Sequence, residues 1–334
     1  MNKSQITIKD IARELNISIS TVSRALKNSK EISEVTRRRV NEYATRHHYQ
    51  PNALAANLRT SRSNTIGVIV PQIVHYFFSS VLSGIEQAAR KAGYNIMVAQ
   101  SGEHYEQEVE ITQSFFKARV CGVITSLAKE TNHYEHYQKL LDHNVPIVFY
   151  DRICPALKTE RVVVDDYHGA YTAVEYLIKT GCRHIYFYSA DPHLEISKNR
   201  RNGYIDAMKR YNVPVTPEMI VWCDTREKAM QITPSLLQSD TPPDGFFAIN
   251  NDTAAGILNA CKVVGKRVPD EVAICGFSDD DIARSTDPKL TTVEQRGEEV
   301  GKSAFDILHE KIEGKTDGKN RIVKTNLVVR GTTR

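Results

Sequence analysis

The sequence predicts an α/β chain in two parts: a small all-α head over residues 1–50, and a two-lobed body built on two doubly wound parallel sheets. Three observations carry this. Apolar residues in the head recur only at helical spacing. From about Ser63 onward, short apolar runs alternate with amphipathic stretches, the pattern of repeated β-α units. Charge is divided unevenly between the two parts.

In the head, Thr7 is a good N-cap, and Asp10, three residues on, can reach back to it. Ile8, Ile11, Ala12 and Leu15 share one helical face, and Asn16 ends the helix. Ser18 can cap a second helix in which Val22, Ala25 and Leu26 are the buried face. Ile19, Ser20, Ser23 and Arg24 are then left outward. A third helix fits residues 33–47, with Ser33 as cap, Val35, Val40 and Tyr43 inward, and Arg37, Arg38 and Arg39 outward. The second helix is polar, buries little and ends in an exposed arginine. Joined to the first by a tight turn, it forms a helix-turn-helix, which presents such side chains to the DNA major groove.

Residues 1–62 hold 12 Lys and Arg against 5 Asp and Glu, a net of +7; the whole chain is +4, leaving −3 for the rest. A basic head on a slightly acidic body implies an anionic partner for the head alone. Nucleic acid fits better than a membrane, because the head has no broad apolar stripe flanked by lysines. Pro51 then stops the third helix, and Asn52 can cap a short one running to about Arg59. That helix is too short to be stable alone in water. Two copies packed through Leu54, Ala55 and Leu58 on DNA would support each other.

In the body, strands are expected at residues 65–70, 95–100, 122–125, 146–150 and 162–164, with helices at 78–92, 105–118 and 133–143 between them. A second series has strands at 185–189, 219–222, 245–249 and 272–276, with helices at 167–180, 197–211, 227–237 and 252–264. Residues 291–293 lead into a last helix at 298–313, and 321–330 read as one strand. Two such lobes bind a ligand at the carboxyl ends of their strands, in the cleft between them.

The head and linker resemble those of the lactose-repressor (LacI/GalR) family of bacterial transcription regulators. The carrying residues are Ile8, Asp10, Ile11 and Ala12; Ser18, Thr21, Val22, Ser23 and Arg24; Thr36 and Arg37; and Tyr49, Pro51, Asn52, Ala55 and Leu58. The resemblance runs on to the C-terminus and implies a periplasmic-binding-protein-like body. On that division, 51–62 is a hinge, 63–164 with 292–322 is the N-terminal lobe, and 165–291 with 323–334 is the C-terminal lobe. It also implies that Ile19, Ser20 and Arg24 read bases, that Thr21, Ser23 and Thr36 hold phosphates, and that Thr7 and Ser18 belong to the DNA-binding set. Asn52, Ala55 and Leu58 would serve the minor groove, with Leu58 wedged between base pairs. Lys27 stands where many relatives carry Asn, so a relative's operator cannot be transferred.

For the cleft, the resemblance implies Asp151 and Arg152 after a strand, Arg200 on the helix opened by Ser197, and Asn251 with Asp252 at a strand end. Such groups suit ligand hydroxyls or carboxylates. Tyr76 and Phe77, on the first strand-to-helix loop with Phe78, could stack on a sugar; Phe78 reads better as core. Asp252 could instead cap its helix, and Arg152 could pair across the lobes. Ser278 replaces an Asp common in sugar-responsive relatives, His75 an Asn, and Thr225 a stacking aromatic. The effector is therefore open among a sugar, a sugar phosphate and a sugar acid.

No P-loop, Gly-x-Ser-x-Gly elbow or His/Glu metal helix occurs, so neither an enzyme, a cofactor nor a metal is expected. The run Asp279, Asp280 and Asp281 reads as solvated or as a helix cap. Six cysteines without a Cys-x-x-Cys pair fit buried free thiols in a reducing cytoplasm. No apolar leader or membrane span is seen. The expectation is a cytoplasmic, dimeric repressor of a palindromic operator, allosterically controlled by a carbohydrate-related effector. The alternative is a body that mainly docks a protein corepressor. With no heptad helix after the last strand, a dimer is expected over a tetramer.

Overall fold

The computed structural model describes residues 6–49, 63–315, 318 and 320–334. The expected hinge, with Asn52, Ala55 and Leu58, lies outside the described residues. The chain divides into two compact units, Met1–Ser63 and Asn64–Arg334.

The head holds α1 (Ile8–Glu14), α2 (Ile19–Leu26) and α3 (Glu34–Arg46). Each begins at the predicted cap: Thr7 exchanges hydrogen bonds with Asp10, while Ser18 and Ser33 accept from the Thr21 and Thr36 amides. Each cap contributes about 1 kcal/mol. Asn16 ends the first helix in the left-handed region, φ 53°, which Asn tolerates. Ile11, Val22, Ala25 and Val40 are fully buried and tie the three helices together. Val35, expected inward, is 78% exposed. It lies five residues before Val40, a rotation that leaves the two side chains about 140° apart.

The body's first series comprises β1 (Thr65–Val70), α4 (Tyr76–Lys91), β2 (Asn95–Gln100), α5 (Tyr105–Lys117), β3 (Gly122–Thr125), α6 (Glu135–Asp142), β4 (Ile147–Tyr150) and β5 (Glu160–Val164). The second comprises α7 (Asp166–Lys179), β6 (Ile185–Ser189), α8 (Glu195–Arg210), β7 (Ile220–Trp222), α9 (Arg226–Leu237), β8 (Gly245–Ala248), α10 (Asn251–Val263) and β9 (Ala273–Phe277). After them come α11 (Asp281–Ser285), β10 (Thr291–Glu294), α12 (Gly297–Ile312), β11 (Arg321–Val323) and β12 (Asn326–Val328). The sheets run β11-β5-β4-β3-β1-β2 and β12-β10-β9-β8-β6-β7. All pairings are parallel except β10 with β12. The strand order reverses between β1 and β3, and again between β6 and β8. A crevice opens at such a point, beyond the strand ends. The central strands are buried on both faces, so their sequences are nearly continuous apolar runs.

Two expectations need correction. The strand at 291–294 was assigned to the N-terminal lobe with 292–322, but it pairs with β9 and β12 in the second sheet. Thr292 helps to hold it there: its hydroxyl lies within hydrogen-bond distance of Asn251 Oδ1 and of the Ser278 carbonyl in that lobe, and its one proton serves one or is shared. The chain therefore crosses back at residues 295–296, where Arg296 takes φ 56°. The expected single strand at 321–330 is two, one in each sheet.

α4 and α12 cross on the first sheet in very close contact. A Cβ on Gly301 would run into the Val81 carbonyl oxygen. In a solvated helix Gly→Ala gains up to about 1 kcal/mol. Here Gly301→Ala should lose about 2 kcal/mol, because the helices must part. Urea denaturation measures the sign, and a stabilised variant would contradict the close crossing.

Candidate functional site

In the head, the outward start of α2 collects the predicted DNA contacts. The Ser18 hydroxyl lies 2.7 Å from that of Ser20 and 2.8 Å from that of Thr21. Ile19 is 47% exposed beside them, an apolar side chain held out from a small core. Thr7 and Ser33 spend their hydroxyls on caps, and Thr36 accepts from Ser33 at 2.9 Å. Ser23 is half-buried on the same helix. Arg24 pairs with Glu31 at 3.3 Å, both well exposed. An exposed pair of this kind is worth at most about 1 kcal/mol, so Arg24 is easily released.

In the body, the predicted cleft residues separate into two groups. Tyr76, Phe77 and Ser278 line a cavity of about 490 Å³ with Asp279, Arg284 and Arg296 among the other walls. Tyr76 and Phe77 lie on the first turn of α4, not on the preceding loop, and Phe78 is core. Ser278 takes φ 105°, with its carbonyl accepting from Asn251 and Thr292.

The second group gathers around the strand ends. Asp151 follows β4 with φ 58° and is buried. Arg152 donates to Glu103 and to the Leu127 carbonyl, and its guanidinium lies 5.4 Å from the Phe78 ring. It pairs within its own lobe, not across the cleft. Arg200 is buried against Asp166 at 2.7 Å, donates to the Ile249 carbonyl and lies 3.6 Å over the Phe277 ring. Asn251 is fully buried, its amide bonded to the Ser278 carbonyl, Asp280 and Thr292. Asp252 does not cap α10; Asn250 does, while Asp252 holds Arg226 at 2.9 Å. Thr225 and Asp280 are helix caps as well.

The sequence reading missed Glu103, Lys129, Asp191, His193 and Asp224, and the serines at 101 and 126. Ser101, Ser126 and Asp224 lie within two residues of the ends of β2, β3 and β7. Applying the strand-end rule to every strand would have found them. The hydroxyls of Ser101, Ser126 and Ser197, and Arg152 Nε, are buried without a hydrogen-bond partner among the described residues. The cations are differently placed. Lys129 pairs with Asp224, Arg152 with Glu103, Arg200 with Asp166 and Arg226 with Asp252. The charges in this group are therefore already neutralised in pairs.

A model described as bacterial regulatory proteins, lacI family, matches residues 7–52, and one described as a periplasmic binding protein-like domain matches residues 174–333. The HTH-type transcriptional repressor CytR of Escherichia coli K12 is 31% identical over 98% of this chain and 96% of its own. The chain belongs to the LacI family of bacterial regulators. Among solved structures, a putative ribose operon repressor from Burkholderia thailandensis shares 31% identity and a TM-score of 0.73, covering 80% of this chain and 99% of that one. A lac repressor dimer bound to operator and the anti-inducer ONPF has 22% identity and a TM-score of 0.87, covering 99% of both chains. It shares the LacI-family fold, helical head and two-sheet body alike.

Among the described residues no helix is long and apolar enough to cross a membrane, and no group of His, Cys, Asp and Glu could hold a metal. The six cysteines are free thiols, five of them buried.

Burial pushes the Asp151 carboxyl up to about 6; Asp166 and Glu103 add to this, and Arg152 and Arg200 oppose it. A carboxyl raised in the folded state stabilises the fold fully below the unfolded carboxylate range. That contribution is lost as pH rises through about 6. Asp151→Asn tolerates the same φ and cannot ionise. It should be more stable than the wild type at neutral pH by about 1–2 kcal/mol, with the gap closing in acid. Urea denaturation across pH measures this, and parallel profiles would contradict it.

Proposed function

We propose that this protein is a cytoplasmic transcriptional repressor that binds a palindromic operator as a homodimer. In this reading the interlobe cleft takes an uncharged, polyhydroxylated ligand, a neutral sugar or a close relative. The observation that carries the ligand class is that the four cleft cations are each already paired with a carboxylate. A sugar acid or phosphate would have to displace Glu103 or Asp166 from its arginine, leaving a buried carboxylate unpaired. A neutral polyol needs only donors and acceptors. The Burkholderia relative, described as a putative ribose operon repressor, supports the same class.

The DNA reading rests on the basic head and the exposed start of α2. Arg24 leaves Glu31 for guanine, and Ile19 and Ser20 read neighbouring edges. Thr7, Ser18, Thr21, Ser23 and Thr36 serve phosphates. Asn52, Ala55 and Leu58 serve the minor groove, where paired Leu58 side chains kink the duplex. Dimerisation is supported by the edge strands β2 and β7, which end corresponding sides of the two sheets. They expose Met97, Val98 and Trp222, an apolar edge that a second copy would cover. Repression follows from a bound dimer that blocks polymerase. Ligand and operator are coupled, so each biases the other's binding by the same factor.

Selection of bound sequences from random duplex DNA should return a palindrome. Arg24→Ala should weaken binding to it about 10- to 100-fold with little change on unrelated DNA. Uniform weakening would make Arg24 a phosphate contact only. In a thermal-shift panel, a neutral sugar at 100 times its Kd should add about 2.7 kcal/mol. A response confined to sugar acids or phosphates would overturn the ligand class.

A further inference from the structure

Lys129 is shared between the two lobes. It follows β3 of the first lobe, and its amide donates to Glu103 at 2.9 Å in that lobe. Its other two polar groups go to the second lobe. Nζ lies 3.0 Å from Oδ2 of Asp224, just after β7. The Lys129 carbonyl lies 3.0 Å from Nε2 of His193, between β6 and α8. The receiving side is itself braced. Asp224 takes Lys228 at 2.8 Å on its other oxygen, and its carbonyl accepts from Asn250 at 3.0 Å. His193 Nδ1 lies 2.6 Å from Asp191 Oδ1. The Asp224 side chain is 10% exposed and that of Lys129 40%, so the pair sits at the rim of the cleft.

We propose that Lys129, Asp224 and His193 are positioning residues that tie the two lobes together across the cleft and so set how tightly the cleft retains its ligand. They act through the lobe spacing and do not themselves touch the ligand. The half-exposed ion pair alone is weak. The neutral carbonyl bond and the braced partners make the tie directional, because neither lobe can slide without breaking both bonds. Although burial alone would raise it, Lys228 and Lys129 hold the Asp224 carboxyl below its ordinary value, keeping it charged for the pair.

His193 is held from both sides, its Nδ1 against the Asp191 carboxylate and its Nε2 against the Lys129 carbonyl.

The functional consequence rests on the ligand-cleft reading, but the tie is tested without ligand. Full-length wild type, Lys129→Met, Asp224→Asn, the double variant and the swapped pair Lys129→Asp with Asp224→Lys are compared by hydrogen exchange and small-angle scattering. Each single variant should speed exchange in segments 126–131 and 191–197 about five-fold and enlarge the scattering radius. The double should do no more than a single, and the swap should recover most of the effect. His193→Ala, which removes the contact with the Lys129 carbonyl, should speed exchange in the same segments. Unchanged single variants, or additive effects of Lys129→Met and Asp224→Asn, would overturn the proposal. If the tie behaves as stated while no neutral sugar binds, the ligand reading fails and the tie stands.

Discussion

A parallel sheet brings the carboxyl ends of its strands to one edge, and the body of this protein is organised by that constraint. Strand interiors must be apolar because helices cover both faces. Polar side chains that need the interior are therefore driven to the strand ends. Ser101, Ser126, Asp151 and Arg152 lie there in the first lobe, and Asp224 and Ser278 in the second, with Arg200 and Asn251 buried on helices of that lobe. The apolar core and the candidate ligand site thus have one cause.

Electrostatics then divides these residues by task. Arg200, Asp166 and Asn251 are too deeply bonded to change partners cheaply, and they fix the geometry of the second lobe. The hydroxyls of Ser101, Ser126 and Ser197 are buried and uncharged, without a hydrogen-bond partner among the described residues. Lys129 and Asp224 at the rim are intermediate, bonded yet partly solvated. The proposed division of labour follows this gradient of burial.

The element pattern was legible because helix and strand periods are local. Caps at Thr7, Ser18 and Ser33 could be read from single residues, and the head was recovered except for Val35. Sheet membership was less legible. Nothing in the sequence of 321–330 marks the change of sheet at residues 324–325, since both halves carry similar apolar residues. The site was half legible. Residues beside strand ends could be named, but their partners could not. Lys129 and Asp224 are 95 residues apart, and Asp166 meets Arg200 only after two helices have packed. A reading that sees Arg200 alone assigns it to ligand. The fold shows it already holding a carboxylate, a chain carbonyl and an aromatic face.

The chain crosses between the sheets three times, and the last crossing separates β11 from β12. Each sheet therefore ends on a strand supplied from the same eight residues, 321–328. During synthesis neither lobe can be finished early, because the outermost strand of both is still inside the ribosome when all their other strands have emerged. The two lobes are completed almost together, whatever the order in which their cores form. A premature stop just before this segment would remove an edge from both sheets, so no intact lobe would survive alone.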